Sequence, residues 1–147
     1  MAKYINATLA VTSNAITATT KPGPTSTPQA ISVTDELDVT EVQSKIITGD
    51  GSHGILFQAN TIASSLAAGT DGAFVYLKNI HATAHFYIGH GSSTALEGGT
   101  EATRLMTLLP GEFAWFPWDL TADLIQDSNG AAADGLEAII FVRTGTA

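Results

Sequence analysis

The chain has 147 residues, fourteen acidic against six basic side chains, a net charge of −8 and no cysteine. Its length suffices for one domain with a real core, and the missing cysteine excludes disulfides and thiolate metal sites. The acidic balance, with no Lys/Arg cluster anywhere, argues against nucleic acid and anionic membranes as partners.

Charged residues make up only 14% of the chain, against roughly 25% in an ordinary soluble domain. Such an exterior is expected to be covered by another protein. The opening MAKYINATLAVTSN lacks the apolar region and cleavage pattern of a signal peptide, and no early run of apolar residues is long enough to span a bilayer. Synthesis in the cytoplasm as a soluble product is the expectation.

In chain order, Ile5, Ala7, Leu9 and Val11 alternate with Asn6, Thr8 and Thr12, the pattern of a half-buried strand. Residues 1–18 are read as an N-terminal strand or arm. The stretch TTKPGPTSTPQ follows, and its prolines fix φ and remove ladder donors, so 19–30 is read as an extended loop. QAISVTD, LDVTEV, SKIIT and GILFQA are successive short strand candidates. TIASSLAA (61–68) offers one or two helical turns and also reads as a loop. AFVYLKNI, then HATA, then HFYIGH reads as a hairpin. RLMTLL and EFAWFPW flank Pro110 and Gly111, which suit the two central positions of a type II turn. DLTADLIQD (119–127) offers a second short helix. LEAIIFVR is apolar on both faces at its centre and belongs inside a sheet. Short runs rich in Val, Ile, Thr, Phe and Tyr between frequent Gly, Pro and Asn breakers are the pattern of a sandwich or barrel. The expectation is a single all-β domain over 1–147: an antiparallel, jelly-roll-like sandwich of about eight to ten strands with little helix.

Candidate chemistry is thin. His53, His81, His85 and His90 invite a metal, but His81 and His85 share a strand face only if HATA is extended, and His90 then points away. A third ligand is missing, so no metal and no cofactor is expected. DSNGAAADG has Asp127 and Asn129 spaced as in a calcium loop, yet Ala131 and Ala138 stand where ligands are needed. Asp35, Glu36, Asp38 and Glu41 read as charges guarding a strand edge. Asp119 and Asp123 form no evident acid–base pair. Neither a nucleophile elbow nor a phosphate loop is present. The chain is not expected to be an enzyme.

The run LLPGEFAWFPW holds both tryptophans and two of the six phenylalanines. In an extended chain Phe113, Trp115 and Pro117 share one face, and Ala114, Phe116 and Trp118 share the other. Phe113 and Trp115 are assigned to the core, together with Phe74, Tyr76, Ile140 and Val142. Phe116 and Trp118 need a second cover, from loops of the same chain or from a neighbouring subunit, and are assigned to an interface with Tyr4, Ile5, Leu9, Pro22 and Pro24 of the N-terminal segment.

YINATLAVTSNAITATT, the Pro/Thr loop, FVYLKNIHATAHFYIGHG and RLMTLLPGEFAWFPW together resemble small structural proteins of tailed bacteriophages. The matching pieces are the "YLKN…A…FYIG" hairpin and the "L-x-PGE-x-A-x-F-P" turn and strand. The resemblance implies a virion protein that decorates or cements a capsid, with the major capsid protein as partner and self-association, as in a trimer. A tail or neck component is one alternative. A carbohydrate-binding sandwich module using Trp115 and Trp118 is another.

Overall fold

The computed structural model describes residues 4–12, 30–50, 53–64, 72–91, 96 and 103–143. The chain divides into two compact units, Met1–Val39 and Thr40–Ala147. The first contains β1 (Tyr4–Thr12), paired antiparallel with the start of β2 (Ala30–Asp50) in a register running from Tyr4↔Asp38 to Thr12↔Ala30. The strand candidates between Ala30 and Thr48 fuse into one long β2. No proline or glycine interrupts that stretch, so nothing ends the ladder there. Pro22 and Pro24 lie outside the described residues.

The second unit holds β3 (Gly54–Phe57), a short helix α1 (Ala59–Ser64), β4 (Ala73–Asn79), β5 (Phe86–His90), β6 (Arg104–Leu108), β7 (Phe113–Trp118), β8 (Leu124–Ser128) and β9 (Ala131–Arg143). One sheet of this unit runs β2-β9-β4-β7 and the other β3-β8-β5-β6. Neighbours are therefore nested in sequence: β5 beside β6, β4 beside β7, β3 beside β8, β2 beside β9. A long antiparallel hairpin rolled over itself gives that order. The fold is an all-β jelly-roll sandwich.

Between the sheets sits one apolar core. Val75, Leu77, Phe86, Ile88, Leu136, Ile140 and Val142 are fully buried, joined by Leu56, Leu124 and Trp118. Strand parity explains the selection. Along β4, Ala73, Val75, Leu77 and Asn79 are buried while Phe74, Tyr76 and Lys78 are half-buried. In β9, Leu136, Ala138, Ile140 and Val142 face in.

Four expectations are corrected. AFVYLKNI and HFYIGH form no hairpin: β4 pairs with β7 and β9, whereas β5 pairs with β6 and β8. Asn79 holds the corner between the sheets. Its Nδ2 donates to the carbonyls of Ala84 (2.7 Å) and Leu108 (2.9 Å), and its Oδ1 accepts from His81 N–H (3.0 Å). The DLTADLIQD helix is instead a turn followed by β8, all five of whose residues are buried. Leu124 and Ile125 both need cover, which a strand inside a sheet provides.

The other two corrections concern the aromatics. Phe113 and Trp115 do not fill the core: they are 62% and 39% exposed, while Trp118 is 6% exposed. Trp118, assigned to an interface, is covered by its own chain, and Phe116 is half-buried against the core. Phe113, Trp115 and Pro117 do share one face of β7 and Ala114, Phe116 and Trp118 the other, but it is the second face that turns to the core. Phe74 and Tyr76 share the outward parity and are only half-buried.

The Pro110–Gly111 turn has the expected geometry. Gly111 has φ of 83°, as a type II turn requires, and Glu112 N–H donates to Leu109 carbonyl at 3.0 Å. Gly72, at φ 87°, lies so near the Trp118 carbonyl that a Cβ would collide with it.

Two stability predictions follow from this packing. Trp118→Ala should cost about 3–5 kcal/mol and Phe113→Ala less than about 0.5 kcal/mol in urea unfolding. Equal losses would mean that Phe113 belongs to the interior. Asn79→Ala, which orphans two buried carbonyls, should cost about 3 kcal/mol, and a loss within error of zero would remove Asn79 as the corner.

Candidate assembly surface

The outward face of the β9-β4-β7 layer gathers the side chains that the core rejects. Register places Tyr76 between Trp115 and Ile139, Phe74 between Pro117 and Phe141, and Lys78 between Phe113 and Glu137. Trp115 stacks on Phe74, with ring centroids 5.5 Å apart and planes 8° from parallel. It also meets Phe141 at 5.5 Å and 52°. The Arg143 guanidinium lies 5.0 Å from the Phe74 ring centre. Offset stacking and tilted contacts of this kind are favourable beyond area alone. They do not shelter the rings: Trp115 and Phe113 remain open to solvent.

Electrically the face is close to balanced. Lys78, Arg143 and Glu137 supply its charges. Burial, and then the neighbouring Glu137 carboxylate, raise the Tyr76 phenol above its ordinary value.

Beside the β7 end, a cleft of about 420 Å³ is lined by Phe116, Trp118, His90, Leu105, Asp119 and Arg143. Asp119 and Trp118 of this cleft are engaged in turn-making. Asp119 Oδ1 accepts from the backbone N–H (3.1 Å) and hydroxyl (2.8 Å) of Thr121, and these bonds hold its carboxyl below the ordinary value. Trp118 Nε1 donates to Ala122 carbonyl at 3.0 Å.

Three of the remaining candidates, His81, Asp123 and Asp127, have structural duties. His81 Nδ1 accepts from the backbone N–H groups of Ala84 (2.8 Å) and Thr83 (3.2 Å), so its ring braces the turn. Asp123 accepts from Ala59 N–H at the start of α1 (2.8 Å). Asp127 is buried and accepts from Leu96 and Ser128 N–H groups. Among the described residues, no three His, Asp or Glu side chains stand together as a metal site. Asp35, Glu36 and Asp38 lie on β2 opposite Ala7, Asn6 and Tyr4 of β1. Tyr4, Ile5 and Leu9 have a described strand position, and their side chains lie outside the described part. Ile140 and Val142 are buried.

Sequence reasoning missed Phe141 and Ile139 and put Phe74 and Tyr76 on the wrong side. A signal was available. Lys78 shares parity with Phe74 and Tyr76, and Glu137 and Arg143 share parity with Ile139 and Phe141; a charge on an aromatic face marks the wet side.

No protein-family model matches the chain, and no curated protein matches it. Among solved structures, one from Bacillus endospore appendages, described as a novel family of disulfide-linked pili, is similar with a TM-score of 0.48 and 17% identity. The match covers 72% of this chain and 87% of that one. No helix among the described residues is long and apolar enough to cross a membrane.

Tyr76 gives a pH prediction. A phenol that holds its proton more tightly when folded contributes stability that is fully present below its ordinary value of 10.0. That contribution is lost as pH rises from there through the folded value. Tyr76→Phe should remove a late-ionising component from the phenolate absorbance titration, and Glu137→Gln should shift that component to lower pH. An unmoved titration in Glu137→Gln would exclude the carboxylate as a cause.

Proposed function

We propose that this chain is a non-enzymatic structural protein that acts by protein–protein contact through the outward face of the β9-β4-β7 layer. The observation that carries the reading is the stacked aromatic face itself. Phe113 and Trp115 stand 62% and 39% exposed on a chain with a net charge of −8. Contiguous apolar surface of this kind on a soluble domain marks a contact site, and aromatics with few charges are what interface centres contain.

Within that class, the YLKN…FYIG and PGE-x-A-x-F-P pieces favour a virion component of a tailed bacteriophage. A decoration or cement protein on the major capsid protein is the specific form proposed. Burying the aromatic face at many equivalent positions would strengthen a shell by area alone, at about 25 cal/mol per Å², and needs no reactive group. A tail or neck position is the neighbouring alternative.

A second reading, a carbohydrate-binding module, is favoured by the exposure of Trp115. It is weakened on two counts. Trp118 is buried and its indole N–H is taken by Ala122, and the Trp115 ring leans on Phe74 instead of presenting a clear flat platform.

The test is occupancy. Purified chain added to shells lacking it should bind, and Trp115→Asp should lower affinity at least about tenfold, the equivalent of about 1.4 kcal/mol. Unchanged binding by that variant would overturn the role of the face. Absence of the chain from purified virions by mass spectrometry would overturn the virion assignment. Tryptophan fluorescence that responds to oligosaccharides and not to shells would favour the glycan reading.

A further inference from the structure

We propose that β7 is a self-pairing edge, and that two copies of this chain join antiparallel along it about a two-fold axis at Ala114. This rests on the assembly reading above and names one partner of the same surface.

The backbone dictates the geometry. β7 ends its sheet and, among the described residues, pairs with β4 alone. Asn79 N–H donates to Glu112 carbonyl at 2.9 Å, and hydrogen-bonded positions in an antiparallel ladder recur at every second residue. Ala114, Phe116 and Trp118 therefore aim their peptide groups at β4. Phe113, Trp115 and Pro117 aim theirs away. The far side of β4 agrees: Ile80 N–H bonds Gly135 carbonyl at 2.9 Å and Arg143 N–H bonds Gly72 carbonyl at 3.1 Å. That parity gives Phe74, Tyr76 and Lys78 to β9 and leaves Val75 and Leu77 for β7. Pro117 stands on the outward parity, where a missing N–H costs the sheet nothing.

The outer edge thus offers N–H groups at Phe113 and Trp115 and a carbonyl at each outward position. Few two-fold registers can use them. A pairing centred on Trp115 sets Phe113 against Pro117 of the second copy, which has no N–H to give. Centring on Phe113 sets Trp115 against Gly111, whose N–H is already bonded to Asn79 carbonyl at 2.9 Å. Centring on Ala114 sets Phe113 against Trp115 of the second copy, so both facing pairs exchange two hydrogen bonds each and neither sets a proline ring or an N–H already in use against a Phe113 or Trp115 carbonyl.

Side chains and charge favour the same arrangement. Phe113 would meet Trp115 of the second copy on the outer face, a cross-strand aromatic pair that merges the two stacked clusters into one band. No charged residue lies within Phe113–Trp118, and the adjoining face sets Lys78 and Arg143 against Glu137. On a chain of net charge −8, this is a place where two copies meet with little repulsion. A ring of roughly 150–250 Å², exposed to the extent of Phe113 and Trp115, leaves about 200 Å² of aromatic surface per copy. With both copies, the strand backbone, Leu109 and Pro117, the contact approaches the roughly 1,000 Å² of a small specific interface. A reversible, concentration-dependent dimer is the expected form. An edge this apolar, with proline as its only guard, otherwise invites aggregation.

The experiment uses the full chain. Light scattering across a concentration series should show the mass rise from 15.2 kDa to twice that value. The chain has no native cysteine, so Ala114→Cys gives a clean reporter. The pair at the axis is non-hydrogen-bonded, with Cα atoms roughly 4.5 Å apart, a span a disulfide accepts. Mild oxidation should link Ala114→Cys into a covalent dimer and leave Ile55→Cys, exposed on β3, unlinked. Phe113→Pro deletes one outward N–H and should shift the dimer to monomer, with an unchanged urea midpoint at dilutions where the parent chain is itself monomeric. A monomer at every concentration overturns the pairing, as does equal cross-linking of Ile55→Cys. A dimer that ignores Phe113→Pro and does not cross-link at Ala114 overturns the β7 contact and leaves the assembly reading standing. Loss of shell binding by Trp115→Asp is judged separately, so the two ideas can fail one at a time.

Discussion

A β-strand has two faces, and a sandwich of two sheets buries only one of each. That constraint decides most of this molecule. Aliphatic side chains of Val75, Leu77, Leu136, Ile140 and Val142 take the interior of one sheet, opposite Phe86 and Ile88 of the other. Branched aliphatics fill a thin layer at high density without leaving gaps. The larger rings of Phe74, Trp115 and Phe141 are then on the other parity and must gather outside. The aromatic face is the complement of the core, and neither can change its parity alone without moving the other.

The nested strand order demands that the chain cross between sheets, and the crossings need polar anchoring. Asn79 supplies one. It is fully buried, and its amide reaches the link before β5, the end of β6 and the turn at His81. Asp127 does comparable work from inside the second sheet, accepting from Leu96 N–H at 2.7 Å. Buried polar groups that are satisfied in this way specify where loops land. They also account for side chains that, in the sequence, resemble chemistry: the acids and the histidine here complete turns.

Among the described residues, the fold leaves a hydrophobic surface and an edge strand in the same place. The two features reinforce each other, because a strand added along β7 would align backbone groups and aromatic rings in one step. Pro117 limits how far such a ladder extends, and the Gly111 turn closes the other end. A short apolar edge with defined ends suits a specific contact better than an indefinite fibril.

The sequence by itself determined the class of fold. Breaker spacing and β-branched runs pointed to an all-β sandwich, Pro110-Gly111 announced its turn, and the apolar centre of LEAIIFVR marked a strand inside a sheet. It also grouped Phe113 with Trp115 and Phe116 with Trp118, since alternation is local. Only the tertiary structure decided which group faces in, because that depends on the sheet lying opposite. It likewise decided that Asn79 turns a corner in place of a hairpin, and that LIQDS is a buried strand. Period-two patterns carry the separation of faces but not the sign, and the sign is set by residues far away in the chain. Lys78, Glu137 and Arg143 held the one local clue to it, since a charge stays in water and takes its face with it.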